Sequence, residues 1–171
     1  MSIRGRFWCS AFTLSLILFI SAAALGQEMA GESSGRNVAA MKLTMIPPLP
    51  TCALGSVQSG DPSKGPSVIF AKISAGCTIP WHWHTPNEHL MIVSGVARLE
   101  MKSGKPLTLR AGGFALLASH HVHLFHCVQA CQFYVYSDGA FDIHYVSKQG
   151  NEIPPPEALK AVREKVATEM K

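Results

Sequence analysis

The chain has 171 residues, and 47% of them are hydrophobic. Its 15 Lys and Arg residues against 11 Asp and Glu residues give a formal net charge of +4. This length suits a single domain with its own core. The sequence has no cluster of basic residues interleaved with aromatic residues, which argues against nucleic acid as a partner.

The first 26 residues have the pattern of a secretory signal peptide. Arg4 and Arg6 precede an apolar run at 7–20, and Ala24 and Gly26 occupy the last positions of a small-residue cleavage site before Gln27. An uncleaved membrane anchor is the alternative, but the apolar run is shorter than the roughly 20 residues that span a bilayer. We therefore expect a secreted or periplasmic protein that meets the membrane only through its signal peptide before cleavage.

Residues 27–38 are polar and rich in glycine and serine, and they predict a flexible leader. Residues 39–150 predict an all-β domain, because short runs with β propensity recur between turn signals. These runs lie at 42–46, 67–73, 88–94, 96–102, 106–110, 114–118, 121–127, 131–137 and 141–146. Such regular spacing is typical of a β-sandwich or a barrel.

The run at 89–93 is nearly apolar on both faces, which predicts a strand covered by another sheet, a terminal segment or a partner subunit. A homodimer is therefore a possible assembly. Residues 151–171 change to helical spacing, with Leu159, Val162, Val166 and Met170 on one face. This pattern predicts a C-terminal amphipathic helix that covers the barrel or the dimer seam.

Four cysteines follow the predicted cleavage site: Cys52, Cys77, Cys127 and Cys131. An even number in an oxidising compartment predicts disulfides, and the sequence leaves all three pairings open. Cys127 and Cys131 flank only three residues, so a disulfide across that loop is plausible. Buried free thiols are the alternative, and a zinc–thiolate site is disfavoured because no C-x-x-C pair occurs.

Two histidine clusters carry the candidate chemistry. His82, His84 and Glu88 lie within seven residues, and in a strand His82 and His84 project from the same face. The second cluster spans 120–126, where a strand would place His121 and His123 on one shared face. Metal binding needs ligands that converge, and the second cluster is the obvious source of the missing ligand.

These residues resemble the two motifs of the cupin superfamily. The first motif, G-x5-H-x-H-x3-E-x6-G, is matched at every fixed position: Gly76, His82, His84, Glu88 and Gly95. The second motif is matched in part, with Gly112 and His123 in place but Ala118, His120 and Cys127 at its proline, glycine and asparagine positions. Because His120 enters positive φ less readily than glycine, we expect that turn to differ from the family norm.

The resemblance covers roughly residues 68–136 and implies a small double-stranded β-helix, or jelly-roll, barrel. It implies that His82, His84, Glu88 and His123 bind one divalent transition metal ion. Three imidazoles and one carboxylate suit Mn, Fe, Co, Ni, Cu or Zn. They leave coordination positions open for water, substrate or dioxygen.

The resemblance most often implies oxygenase chemistry on a small organic molecule, with isomerase and lyase chemistry left open. His121 is the one further acid or base that we predict as a catalytic residue, and a wall residue of the cavity is the alternative. A non-catalytic cupin that binds or senses a metal or small ligand is the second functional hypothesis.

Overall fold

The computed structural model describes residues 33–160 and residue 162. The predicted signal peptide and the first part of the predicted leader lie outside the described residues. Within them, one turn of 3-10 helix, Val38–Ala40, precedes nine strands. The strands are β1 (Thr44–Met45), β2 (Ala53–Gly60), β3 (Ser67–Ile73), β4 (Thr78–Trp83), β5 (Glu88–Met101), β6 (Leu107–Arg110), β7 (Phe114–Leu117), β8 (His123–Ser137) and β9 (His144–Tyr145).

The paired strands are antiparallel, and the two longest, β5 and β8, pair with each other along most of their length. Strand β8 also pairs with β3 through its second half and with β4 through its first half. Strands β2 and β1 continue the sheet beyond β3, β9 continues it beyond β4, and β6 and β7 both pair with β5. A sheet curled in this way is an all-β jelly-roll barrel. The predicted fold class is therefore confirmed.

A bulge at Gly95 lets β5 bend without ending. The register between β5 and β8 shifts between Ile92 and Ala97, and Gly95 has a φ of 87°. A Cβ at Gly95 would overlap the backbone carbonyl of Ala130, so only glycine allows the two strands to approach this closely. The sequence therefore predicts two strands, at 88–94 and 96–102, where the structure has one continuous bent strand.

Strand β2 is missing from the sequence prediction. Its residues include Gly55, Ser56, Ser59 and Gly60, which have weak β propensity. Pairing with β3 from Ala53 onward imposes the strand conformation on them. The predicted strand at 121–127 also begins later, at His123, because residues 119–120 form a turn.

Alternate side chains of β5 and β8 form the core. Leu90 and Ile92 of β5 and Phe125 and Phe133 of β8 are buried. Burying each side chain of this size contributes roughly 1.5–3 kcal/mol. The outer face of β5 and β7 differs, because Met91, Val93, Phe114 and Leu116 remain exposed in the single chain.

The four cysteines lie in two pairs at disulfide distance, Cys52 with Cys77 and Cys127 with Cys131. The first pair joins the start of β2 to the turn before β4. The second agrees with the pairing suggested by the sequence, although residues 128–130 continue strand β8 instead of forming the predicted loop between two strands. Two such pairs favour an oxidising compartment.

The C-terminal segment is helical at residues 155–160 and at residue 162. Ala158 is buried in the main core cluster, and Leu159 packs against that cluster. The described part of the helix thus covers the barrel, while the stripe residues Val166 and Met170 lie outside the described residues. No helix in the described ranges is long and apolar enough to cross a membrane.

Candidate metal centre

Strand ends bring the predicted ligands together. His82 lies near the end of β4 and His84 just after it, Glu88 begins β5, and His123 begins β8. Because β4 and β8 are antiparallel neighbours, His82 and His123 face each other as registered partners. All four side chains are buried, with exposed fractions of 2–7%.

The three imidazoles converge on one point. One ring nitrogen from each of His82, His84 and His123 lies within 4.8 Å of the other two. The Glu88 carboxylate joins this group from one side, because its Oε2 atom is 3.5 Å from Nε2 of His84 and 3.5 Å from Nε2 of His123. The structure therefore brings the three predicted histidine ligands to a common centre and places Glu88 in contact with two of them.

Backbone carbonyl groups orient every imidazole. Nδ1 of His82 donates to the carbonyl of Pro80 at 2.6 Å, and Nδ1 of His123 donates to the carbonyl of His121 at 2.8 Å. Nδ1 of His84 donates to the carbonyl of Asp142. With Nδ1 bonded to a backbone carbonyl, each ring directs Nε2 toward the centre, and Nε2 is the atom that can bind a metal ion once it is unprotonated.

The charge states suit a cation. Burial, followed by the neighbouring His123 and His84, lowers the pKa of His82 well below its usual value, so this ring is neutral. Burial alone would raise the pKa of the Glu88 carboxyl group, but contact with His84 and His123 holds that pKa far below its usual range. Burial likewise opposes protonation of His84, yet the adjacent Glu88 raises the pKa of His84 overall.

The donor set fits a divalent transition metal ion. Buried polar atoms normally have a hydrogen-bond partner, but Nε2 of His84 has none and lies only at ion-pair distance, 3.5 Å, from Oε2 of Glu88. The buried Glu88 carboxylate also needs a compensating charge, which a proton on a neighbouring imidazole or a metal ion would supply. Three nitrogen donors and one oxygen donor are a set that such ions accept.

A small cavity of about 50 Å³ adjoins the centre. His82, His84 and Glu88 supply its polar wall, and its other lining residues are Ala, Ile, Leu, Val and Phe. Phe141 stacks on the His84 ring with a centroid distance of 4.5 Å. An apolar wall of this kind limits water around the centre and lowers the local dielectric constant.

His121 precedes β8 instead of lying in it, so it does not share a strand face with His123. Its Nε2 lies 3.3 Å from Oγ of Ser103 and 3.2 Å from the carbonyl of Ser103. Its own carbonyl is the group that orients His123. The catalytic role of the His121 side chain stays a prediction.

The turn before β8 keeps a glycine-like conformation although it contains no glycine. His120 has a φ of 60°, and its N–H donates to the carbonyl of His84 at 2.9 Å. The His120 ring stacks on the Trp83 ring with a centroid distance of 4.3 Å. The Trp83 ring also stacks on the His144 ring, with a centroid distance of 3.9 Å. Stacking and hydrogen bonding thus stabilise a conformation that costs a histidine more than a glycine.

Sequence reasoning missed Pro80 and Asp142, which hold two of the three rings. Each acts on its ring through a backbone carbonyl, so side-chain identity carries no signal for this role. The carboxylate of Asp142 accepts from the N–H of Thr85 at 2.7 Å and thereby ties its own segment to the end of β4. His126 contacts Thr78, and the His89 ring contacts the ring of Tyr136.

Comparison with known proteins supports the fold. Residues 69–136 match the family model described as the cupin domain. No curated protein sequence matches the chain. A putative acetylacetone dioxygenase from Methylibium petroleiphilum has a similar structure, with 16% identity, a TM-score of 0.58, and coverage of 72% of this chain and 87% of that chain.

Two further solved structures are similar. A DMSP lyase from Ruegeria pomeroyi has 17% identity and a TM-score of 0.55, and the match covers 66% of this chain and 64% of that chain. An RmlC-like cupin from Shewanella frigidimarina has 13% identity and a TM-score of 0.54, with coverage of 64% and 93%. At these identities the likeness shows the fold alone. The family match, the motif residues and the curled antiparallel barrel together show that the chain contains a cupin domain at residues 69–136.

Proposed function

We propose that this protein is an extracytoplasmic metal-dependent cupin that acts on a small organic molecule. His82, His84, His123 and Glu88 would hold one divalent transition metal ion. The observation that carries this proposal is the common orientation of the three imidazoles. Each imidazole donates a hydrogen bond from Nδ1 to a backbone carbonyl, and its Nε2 faces the same buried point.

The chemistry that we propose is of the oxygenase type. A bound redox-active ion would supply Lewis acidity and open coordination positions for substrate and dioxygen. The protein's own residues hold the donors in place without reorganisation, and the apolar wall keeps bulk water from the reacting groups. The cavity lining contains no titratable side chain besides His82, His84 and Glu88 among the described residues, which suits a reaction with little need for protein acids and bases.

The same lining favours a second candidate function. A protein that only captures or senses a metal or small ligand also needs oriented donors and no catalytic acid or base. His121 remains the proposed catalytic acid or base, although its Nε2 contacts Ser103. Activity measurements on a His121→Ala variant address that role separately from metal binding.

Location and assembly are also proposals. Two cysteine pairs at disulfide distance support an oxidising compartment, in keeping with secretion or export to the periplasm. The exposed apolar residues on β5 and β7 support a homodimer through that face.

Elemental analysis of protein purified from an oxidising compartment, without added metal, tests the proposed function. We expect about one ion of Fe, Mn, Co, Ni, Cu or Zn per chain, and its loss in the His82→Ala and Glu88→Ala variants. His126→Ala serves as the control, because that histidine contacts Thr78 away from the centre. Iron or manganese with substrate-dependent oxygen uptake would favour the oxygenase over the binding module. Absence of stoichiometric metal would refute the metal-dependent enzyme.

A further inference from the structure

Two cavities lie on either side of a shared wall next to the histidine centre. The inner one is the cavity of about 50 Å³ that contains His82, His84 and Glu88. The outer one has a volume of about 440 Å³ and contains none of those three residues. Both are lined by Ile46, Leu49, Ile69, Phe141 and Ile143, so these side chains separate them. A molecule that passes from the outer cavity to the centre must move past this wall.

Hydrogen bonds fix the backbone of the two loops that supply most of the wall. The N–H of Leu49 donates to the carbonyl of Ile46 at 2.7 Å, and the hydroxyl of Tyr145 donates to the carbonyl of Pro48 at 3.0 Å. The N–H of Phe141 donates to the carbonyl of Pro62 at 2.7 Å. With the backbone fixed on both sides, side-chain size decides how wide the passage is.

The Ile46 side chain fills a space that exists because residue 55 is glycine. A Cβ at Gly55 would overlap Cδ1 of Ile46 and would lie 3.1 Å from its Cγ1. Gly55, which lines the outer cavity, therefore makes room for the end of the Ile46 side chain. Phe141 differs because its ring is already stacked on the His84 ring. Ile46 is thus a wall residue that can change without disturbing a ring at the centre.

On the basis of the proposed metal function, we infer that Ile46 sets the size of the group that reaches the metal. A cavity of about 50 Å³ holds roughly two water-sized groups, since one water occupies about 30 Å³ in the liquid. The ligand would place a compact oxygen- or nitrogen-donor group of that size at the centre and keep its remaining atoms in the outer cavity. Donors carried directly on a bulky ring would be excluded.

The experiment uses the full-length mature protein loaded with Co(II) and follows its visible absorption spectrum. Azide is the small probe and 4-phenylimidazole is the bulky probe. We expect Ile46→Ala to tighten 4-phenylimidazole binding about tenfold or more, because one or two methylene groups change affinity by this much in an apolar pocket. Azide binding should stay unchanged. Ile46→Val should move the same ratio in the same direction by a smaller factor, and it carries the test if the Ala variant fails to fold.

Leu107→Ala is the matched control, because Leu107 on β6 is 40% exposed and lines neither cavity. Its ratio of azide to 4-phenylimidazole affinity should equal that of the unmodified protein. An unchanged ratio in both Ile46 variants, with cobalt bound and azide binding intact, would overturn the role of Ile46 alone. A protein that takes up no cobalt and shows no azide-dependent spectrum would refute the metal function and the inference together.

Discussion

Nδ1 of His123 donates a hydrogen bond of 2.8 Å to the backbone carbonyl of His121. The His121 imidazole meanwhile contacts Ser103. The backbone carbonyl of His121 therefore orients a ring of the candidate metal centre, whereas the His121 side chain does not contact that ring's Nδ1. This division separates two roles that a mutation can test independently.

We expect the His121→Ala variant to bind metal with the same stoichiometry as the unmodified protein. Alanine keeps the carbonyl that orients His123, so the imidazole of His123 should still present Nε2 to the centre. Elemental analysis and competition with a chelator measure this. His123→Ala provides the comparison and should lose the metal. Equal metal loss in both variants would contradict the backbone role, and full turnover by His121→Ala with any substrate found would end the proposed acid–base role.

Metal affinity should rise with pH across the neutral range. Although burial opposes it, the neighbouring Glu88 raises the pKa of His84, so the metal-free protein carries a proton there at higher pH than an ordinary histidine. Metal binding must displace that proton, and affinity should therefore increase by up to about tenfold per pH unit below the folded pKa of His84 and level off above it. Titration with a chromophoric chelator between pH 5.5 and 8.5 measures the slope.

Glu88→Gln is the informative variant for this pH dependence. Without the carboxylate, the factor that raises the pKa of His84 is gone, and the rise in affinity should shift to lower pH. An affinity in the original protein that does not change with pH would show that His84 is unprotonated before metal arrives. The low pKa of Glu88 means that its own protonation does not contribute within this range.

The sequence predicts the candidate site better than its surroundings, and the reason is local. His82 and His84 are brought together by strand geometry alone, and the spacing to Glu88 is set by one short turn, so a motif captures them. By contrast, the positions of the Pro80 and Asp142 carbonyl groups depend on how distant segments pack. The same holds for the space beside Gly55 that the Ile46 side chain fills. Strand β2 was missed for the same reason, since pairing with β3 overrides the weak β propensity of its glycines and serines.

Gly95→Ala should destabilise the protein strongly. Its φ of 87° is unfavourable for alanine, and the new Cβ would overlap the carbonyl of Ala130 on β8. We expect a loss of about 3 kcal/mol or more in the free energy of unfolding, measured by urea denaturation. Gly76→Ala separates the two causes, because Gly76 has a φ of 77° and nothing within 4 Å of an added Cβ. It should cost only about 1 kcal/mol, and equal losses at both positions would show that the close approach of β5 to β8 contributes little.

The exposed apolar face of β5 and β7 should control assembly if the protein forms the proposed homodimer. Phe114 is 57% exposed and Leu116 is 55% exposed. Replacing both with Glu would place like charges opposite each other across a two-fold interface, and it should weaken dimerisation about 100-fold or more. Sedimentation equilibrium at micromolar concentration measures this, with Val57→Glu as a control for an exposed apolar residue on β2. The double variant should retain its metal, because neither side chain lines the inner cavity. If the unmodified protein is a monomer at the same concentration, the proposed homodimer is refuted. The apolar face would then be left for a different partner.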